Sequence, residues 1–246
     1  MIISLAVNDF KAVYAGSVLG SVWAVAEPLV TVAVYWFVYT VALRGADIDG
    51  MPYYIWLSAG LAAWFFVSNG LRVTASAFRD YSYMVKKLCF DTSILPSVRA
   101  VSALLSHALF VGIVLLLCAI EGTEISLPAL AAALVFAIIF VYALGRILAL
   151  LCGLYKDVQN VTAVVLNIGF WLTPVFWQAE ALCGNAARLV YLNPAAVIVR
   201  AYRSALLYGE FTEPKVMLYL SAVCAVLLGL GCLLEKLILP DIADRL

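Results

Sequence analysis

The side chains that could do acid–base or metal chemistry are few and lie far apart along this chain. One histidine, His107, lies in a long apolar run, and one carboxylate, Glu27, lies in another. The six cysteines lack the paired spacing of a disulfide framework or a zinc site. No HExxH, GxSxG or P-loop sequence occurs. We therefore expect neither catalysis nor a cofactor on this chain, and we interpret His107 as a hydrogen-bonded packing residue.

The densest cluster of charge, residues 79–99, lies between two apolar blocks. The six charged side chains of this segment are Arg79, Asp80, Lys86, Lys87, Asp91 and Arg99. A segment of about twenty residues is short for a folded domain but longer than a simple turn. Charge alone leaves two interpretations, a docking element for a cytosolic partner and an ordinary positively charged inner loop.

The composition is that of a membrane protein. The chain is 66% hydrophobic and 12% charged, whereas soluble domains are roughly 25% charged. Its 15 basic and 15 acidic residues leave no basic surplus for binding nucleic acid. Runs of about 20 apolar residues, each long enough to cross a bilayer, take up most of the length. The expected fold is all-α with six transmembrane helices, at about residues 18–43, 53–78, 98–120, 127–150, 158–176 and 216–234.

The first span contains an unusual Glu27–Pro28 pair. A carboxylate inside a span costs about 2.5–3.5 kcal/mol on insertion scales, so it normally faces a polar cavity or a partner. Pro28 removes a helix hydrogen bond, and we expect it to bend the helix and let the span move as a gate. The aromatic residues Tyr35, Trp36 and Tyr39 follow in the outer half, either as interface anchors or as the lining of a pathway.

Residues 1–15 are too polar to span a membrane but have helical periodicity. Ile3, Val7 and Phe10 recur on one side, whereas Ser4 and Lys11 lie on the other. This pattern favours an amphipathic helix in the inner membrane interface over a frayed terminus.

Residues 177–214 lie between the fifth and sixth spans and are too apolar for a solvated loop. Asn193 and Pro194 divide the segment into two pieces, each long enough for a short helix. Re-entrant helices that dip in from the outer surface fit both facts, provided that protein or water covers their backbone. Arg200 and Arg203 lie three residues apart, on one face of the second piece.

The distribution of basic residues predicts the orientation. The two short loops on one side contain a single basic residue, Arg44. The basic residues on the other side are Lys11, Arg79, Lys86, Lys87, Arg99, Lys156, Lys236 and Arg245. Because cytoplasmic loops carry the excess of Lys and Arg, both termini are expected in the cytoplasm.

An ordered set of short motifs along nearly the whole chain resembles the type 2 ABC permeases that export cell-surface polysaccharide. Members of that family serve O-antigen, capsule and teichoic acid export. The motifs are Asp9-Phe10-Lys11, Tyr14, Gly16-Ser17, Leu19-Gly20, Trp23, Pro28-Leu29, Trp64-Phe65-Phe66, Lys86-Lys87, Phe90, Leu95-Pro96, Asp157-Val158, Pro174-Val175, Leu192-Asn193-Pro194 and Tyr202-Arg203. The chain departs from the family pattern at Val13, at Asp91-Thr92 and at Lys156, where the family has basic residues, a Pro-Arg pair and an Arg.

The resemblance implies one permease domain, residues 1–246, that forms a homodimer and binds two separate ATPase subunits carrying ATP and magnesium. Within it, residues 1–15 would be the interfacial helix, 79–97 the cytoplasmic coupling segment and 177–214 the outer re-entrant segment. The coupling residues implied in this way are Asp80, Tyr83, Lys86, Lys87 and Phe90. The resemblance thus favours the docking interpretation of the charged segment.

The resemblance also implies a lipid-linked polysaccharide substrate, membrane lipids as neighbours and a place in the inner membrane of a bacterium. An aromatic belt along the channel is a family feature, and its candidates here are Tyr35, Trp36, Tyr39, Trp64 and Trp171. Lys11 is the nearest candidate to meet an anionic head group where the substrate enters.

Two other classes of protein stay open on the sequence. A related permease that exports a drug or a small hydrophobic substrate would share the spans and the coupling segment. A polytopic enzyme acting on lipid-linked glycans would need a polar constellation, and the available groups, His107, Glu27 and the Arg200/Arg203 pair, lie on different segments.

Overall fold

The computed structural model of the chain describes residues 1–13, 18–42, 47–82, 92–182 and 189–245. Within these ranges the regular elements are helical and no strand occurs, as the sequence predicts. The α-helices that position the sites are α1 (Ile2–Val13), α2 (Trp23–Trp36), α3 (Tyr53–Ala75), α4 (Ala77–Asp80), α5 (Leu95–Glu121), α6 (Leu127–Leu154), α7 (Asp157–Leu172), α8 (Pro194–Leu207) and α9 (Pro214–Arg245). A π-helical stretch, Phe37–Ala42, follows α2 directly, and 3₁₀ turns lie at Gly20–Val22, Thr92–Ile94 and Ala179–Ala181.

Five helical segments within the described ranges are long and apolar enough to cross a membrane. They are Trp23–Val41, Tyr53–Ala75, Thr92–Glu121, Leu127–Leu154 and Pro214–Leu239. These segments coincide with the first four predicted spans and with the sixth. Helix α7 occupies the predicted fifth span but has 16 residues, which is shorter than the others.

Local sequence explains where several helices begin and end. Helix α5 stops at Gly122, whose φ of 73° lies in the left-handed region that glycine adopts without strain. Helix α6 begins after Ser126, whose hydroxyl accepts a hydrogen bond from the Ala129 amide at 3.4 Å. Pro128 occupies the first turn of α6, where a missing amide hydrogen costs nothing.

Helix α3 is the centre of the bundle. Of the residues in its most apolar 18-residue stretch 78% are buried, whereas in the corresponding stretches of α2 and α9 the shares are 11% and 17%. Helices α5, α6 and α8 pack around α3. The peripheral helices α2 and α9 therefore expose apolar side chains on the outside of the bundle. Helix α3 forms the buried centre against which other helices pack.

Successive long helices run in opposite directions, so the bundle has two ends. At one end Tyr54, in the first turn of α3, donates a hydrogen bond to Glu121 in the last turn of α5. At the other end Arg99, in the first turns of α5, bonds Asp80 at the end of α4. We call these the Tyr53 end and the Arg99 end.

Helix α1 forms as predicted, but a different face of it packs against the protein. Ala6 and Asp9 are buried against the bundle, where α1 lies on α5, while Ile3 is 73% exposed. A small alanine permits close approach of the two helices, and Asp9 can be buried because Arg99 neutralises its charge. Lys11 is exposed.

Candidate functional site

A groove with a volume of about 610 Å³ runs along one side of the bundle between α2, α3, α5 and α7. Aromatic side chains line part of it, including Tyr35, Trp64, Phe170 and Trp171. Polar and charged side chains line another part, including Glu27, Asn69, Arg72 and Asn167. A groove of this size with an aromatic and a polar portion can hold an amphipathic or polyhydroxylated molecule.

The aromatic portion of the groove is a connected cluster. Tyr35 of α2 stacks on Phe176 with ring centroids 6.1 Å apart, and it also meets Phe170 at 5.6 Å. Trp64 of α3 lies 5.9 Å from Phe170, and Trp171 meets Phe176 edge-on at 5.1 Å. Such offset and edge-on pairs are the preferred aromatic geometries, so each ring has a defined position in the groove wall.

Three of the five predicted channel residues, Tyr35, Trp64 and Trp171, therefore lie in one groove. Tyr39 instead stacks on Tyr53 at 3.6 Å, and Trp36 is exposed on α2 outside the groove lining. Phe170 and Phe176 connect the cluster but were not predicted. Their signal in the sequence is the concentration of aromatic residues at positions 170, 171, 176 and 177.

Glu27 and Arg72 are the charged members of the groove lining. Neither forms an ion pair with another residue in the described part of the chain. By contrast Arg146, at a similar depth of α6, pairs with Glu235 of α9. Because unpaired charges are costly inside a span, Glu27 and Arg72 belong to a polar or hydrated part of the groove.

Pro28 lies inside a continuous α2. The Thr31 hydroxyl donates a hydrogen bond to the Glu27 carbonyl at 2.9 Å, so this carbonyl has a partner besides the helical ladder. The gating role assigned to Glu27 and Pro28 stays a prediction.

Of the predicted coupling residues, Asp80 is described, whereas Tyr83, Lys86, Lys87 and Phe90 lie outside the described residues. Asp80 accepts a hydrogen bond from the Ser76 hydroxyl at 2.6 Å and pairs with Arg99. It thus connects Ser76, the residue before the short helix α4, to Arg99 of α5.

Arg99 joins three segments of the chain at the Arg99 end. Its Nη1 lies 3.1 Å from Asp9 Oδ1 of α1, and its Nη2 pairs with Asp80. The Tyr81 ring lies 5.1 Å from the guanidinium, and the Tyr81 hydroxyl donates a hydrogen bond to Asp9. We call Asp9, Asp80, Tyr81 and Arg99 the charged junction.

The Tyr81 hydroxyl stays protonated at physiological pH. Burial, the hydrogen bond to Asp9 and the nearby carboxylates raise the pKa of this phenol above its ordinary value. Tyr81 is therefore a hydrogen-bond donor to Asp9 at every physiological pH. The sequence carried one signal for this cluster, an aspartate in a mostly apolar amphipathic helix, but its partner could not be identified from the spacing.

A second contact ties the same turn to α7. Arg79 Nη1 donates hydrogen bonds to Gln159 Oε1 at 3.0 Å and to the Lys156 carbonyl at 3.4 Å. The turn at residues 76–82 is therefore held on one side to α1 and α5 and on the other side to α7.

At the Tyr53 end, Asn193 and Pro194 start α8. The Asn193 Oδ1 accepts a hydrogen bond from the Ala195 amide at 3.0 Å, and its Nδ2 donates one to Thr173 Oγ1 at 2.9 Å. Asn193 thus caps α8 and attaches it to the end of α7. Helix α8 is largely buried against α3 and α6.

Arg203 of α8 is buried and binds the backbone. It donates hydrogen bonds to the carbonyls of Trp56, Pro174 and Val175 at 3.3, 2.7 and 2.5 Å. Its guanidinium lies 3.3 Å from the centre of a Trp56 ring. A Cβ atom on Gly60 would lie 2.5 Å from Arg203 Nη2, so the glycine makes room for the cation.

Arg200 lies near the surface. It pairs with Glu213 at 2.7 Å and contacts the Tyr191 ring at 5.1 Å. Burial and a hydrogen bond to Glu180 raise the pKa of Tyr191 to about 12, so its hydroxyl is a donor. The two arginines predicted on one face of α8 thus have different environments.

His107 is a buried packing residue, as predicted. Its Nε2 lies 2.9 Å from the Tyr202 hydroxyl, and its ring stacks on Phe66 with centroids 4.5 Å apart. It connects α5 to α3 and α8 and forms part of the groove lining. Four of the six cysteines are described as free thiols, and Cys183 lies outside the described residues.

The chain matches the ABC-2 type transporter family over residues 2–207, which include α1 to α8. An O-antigen export system permease protein RfbA from Myxococcus xanthus is 28% identical over 235 residues, 93% of this chain and 88% of that protein. A Klebsiella pneumoniae protein with the same name is 21% identical over 231 residues, 91% of this chain and 87% of that protein. The matched region contains the groove, the charged junction and Arg203.

Proposed function

Because the chain belongs to the ABC-2 type transporter family, we propose that it is the permease subunit of an exporter for a lipid-linked cell-surface polysaccharide. The observation that carries this proposal is the match, over nearly the full length, to proteins named as O-antigen export permeases. The function is transport, with ATP hydrolysis on separate subunits. The proposed location is the bacterial cytoplasmic membrane.

The groove supports this substrate class. Sugar rings present apolar C–H patches that stack on aromatic faces, and stacking tolerates changes of sequence in a polymer. Tyr35, Trp64 and Trp171 supply such faces, and the polar side chains of Asn69 and Asn167 supply hydrogen bonds. A translocating glycan would meet weak, repeated contacts here.

We propose six spans, with α7 as the fifth. At 1.5 Å per residue α7 is about 24 Å long, and it exposes an apolar side that includes Val161, Val165 and Ile168. The turns and bends after Leu172 would complete the crossing within the protein, where Arg203 and Tyr53 bind backbone carbonyls. Both termini would be cytoplasmic, with the Arg99 end on that side.

A homodimer would turn the groove into a channel. One chain offers a groove lined by α2, α3, α5 and α7. A second copy facing it would enclose the aromatic and polar lining on all sides.

Two ATPase subunits would dock on the coupling segment 79–97 through Asp80, Tyr83, Lys86, Lys87 and Phe90. Lys11 on α1 would meet the head group of the arriving substrate, and Glu27 and Pro28 would act in gating.

The test is a pull-down of the tagged chain in mild detergent, with partners identified by mass spectrometry. The wild-type chain is expected to recover an ATPase subunit, and a Lys86→Gln, Lys87→Gln double variant is expected to lose it. Lys215→Gln, an exposed lysine at the Tyr53 end, is the matched control and should retain it. Recovery of the wild-type chain without any ATPase, where a known transporter stays assembled, would contradict the proposal.

The substrate is tested separately in cells that lack this gene. The wild-type gene should restore surface polysaccharide, and its absence should leave lipid-linked glycan inside the cell. An ATPase-bound complex whose loss leaves surface polysaccharide unchanged would point instead to a small hydrophobic substrate.

A further inference from the structure

We propose that Arg99 is a positioning residue that makes α1 move together with the ATPase-docking segment. This inference rests on the proposed function, because the movement would be driven by the partner subunits. It assigns α1 a mechanical connection to that segment through the charged junction.

The guanidinium of Arg99 bonds to both α1 and the turn leading to residue 83, and it is the charged link between them, beside the neutral hydrogen bond from the Tyr81 hydroxyl to Asp9. Its Nη1 lies 3.1 Å from Asp9, its Nη2 pairs with Asp80, and its side chain is 11% exposed. Two hydrogen-bonded carboxylates on separate segments, bridged by one planar cation, form a short and directional link.

Asp9 is the anchor of α1 in this link. Among the described side chains of α1, Asp9 makes the hydrogen bonds that leave the helix, to Arg99 and Tyr81. Ala6 of α1 is also fully buried, and α1 packs on α5. Two helices that touch only through small apolar side chains can shift along each other, whereas a charge-assisted hydrogen bond fixes their relative position.

Removal of Arg99 would do more than delete a contact. Asp9 and Asp80 would then face each other without a cation between them, and two nearby carboxylates repel. The turn at residues 76–82 would still be held to α7 by Arg79. The expected consequence is a selectively loosened α1, joined to the turn only by the Tyr81–Asp9 hydrogen bond, with the docking segment still attached to the bundle.

The experiment uses the full-length chain in complex with its ATPase in lipid nanodiscs. A fluorescent amino acid at Ser4, an exposed position of α1, reports its movement when ATP is added. In Arg99→Gln the ATPase should still co-purify and hydrolyse ATP, while the Ser4 response and export in cells each fall roughly tenfold, within the usual range of coupling between sites.

Arg79→Gln is the matched control, since it also removes an arginine that holds the turn at residues 76–82 but cuts the link of this turn to α7. It should keep the ATP-dependent Ser4 response. A further variant, Arg99→Gln with Asp9→Asn and Asp80→Asn, removes the repulsion together with the charged link, and it should still lack the Ser4 response. Recovery of the response would show that repulsion between the carboxylates caused the defect, and it would overturn the inference.

The inference is overturned if Arg99→Gln keeps the wild-type Ser4 response and export. If this variant does not accumulate, Asp9→Asn replaces it, because this change keeps the side-chain size and removes the charge on α1. Normal export and Ser4 response in Asp9→Asn would then overturn the inference. Failure of the wild-type chain to bind an ATPase would instead contradict the proposed function.

Discussion

Arg99 and Arg203 are buried arginines at opposite ends of one bundle, but they bind different kinds of acceptor. Arg99 binds carboxylates on two other segments. Arg203 binds three backbone carbonyls and no carboxylate among the described residues. Side-chain pairs can rearrange by changing rotamers, whereas carbonyl acceptors move only when the backbone moves.

This difference predicts that one end of the bundle is held rigidly and that the other end can rearrange. At the Tyr53 end, Arg203, Asn193 and Tyr53 all donate hydrogen bonds to the segment that follows α7 and fix its position. The Arg99 end is connected through polar side chains next to the proposed docking segment. We therefore expect substitutions at the Tyr53 end to lower stability, and substitutions at the Arg99 end to reduce export with a smaller loss of stability.

The largest effect on stability is expected for Arg203→Met. Each buried carbonyl left without a partner costs about 1–3 kcal/mol, and this change orphans up to three of them. The variant should fail to accumulate, or should melt far below the wild type when purified protein is heated. Arg200→Met is the control on the same helix, and equal stability of the two variants would remove the distinction between the ends.

Gly60→Ala should produce the next largest loss. The new methyl group would lie 2.5 Å from Arg203 Nη2 and 3.0 Å from the Val175 carbonyl, and overpacking of this kind costs about 1–3 kcal/mol. Thermal unfolding in detergent measures it.

Gly112→Ala in α5 is the matched control for Gly60→Ala, since a Cβ there meets nothing within 4 Å. Alanine in an open helical position should be neutral or stabilising by about 0.5–1 kcal/mol. A Gly60→Ala variant as stable as Gly112→Ala would show that Arg203 can shift freely.

Asp80→Asn should lower the free energy of unfolding by less than about 1 kcal/mol, because ion pairs at exposed positions contribute little. Asp80 is 43% exposed. Export should nevertheless fall, since the link to Arg99 is weakened. Surface polysaccharide and melting temperature should both be measured on this variant, because they report export and stability separately. A parallel loss of both would contradict the expectation that substitutions at the Arg99 end reduce export more than stability.

The smallest effect is expected for Arg200→Gln. The Arg200–Glu213 pair is exposed on both sides, and surface substitutions usually change stability by no more than about 0.5 kcal/mol. Melting temperature and export should both match the wild type. A clear loss of export would mean that the surface of the Tyr53 end also takes part in transport.

Hydropathy was sufficient to predict the long helices. The predicted third span, residues 98–120, became Leu95–Glu121, and the predicted fourth, residues 127–150, became Leu127–Leu154. Both are bounded by charges or by Gly and Pro, which a sequence shows directly. The packed face of α1 was not predictable in the same way, because burial of Asp9 depends on an arginine 90 residues away.

The site was predictable in type but not in arrangement. Aromatic candidates could be chosen, yet the sequence could not separate Trp64, which lines the groove, from Tyr39, which stacks on Tyr53. Arg200 and Arg203 share a helical face, but only the tertiary structure places backbone carbonyls around one and solvent around the other. Pairings over long sequence separations are set by the fold and leave no local pattern.

Helix α9 extends from one end of the bundle to the other. Its 32 residues extend roughly 48 Å, well beyond the hydrocarbon core of about 30 Å. One end lies beside α8, where Tyr219 bonds the Leu192 carbonyl, and the other packs Ile242 against α4 and α6. The Arg146–Glu235 pair also joins it to α6, along which α9 packs. Pro240 lies inside α9 between this pair and Ile242, and a proline removes a helical hydrogen bond. A displacement of the Pro214 end is therefore expected to be damped before it reaches Ile242, which distance measurements between labelled ends with and without ATP would detect.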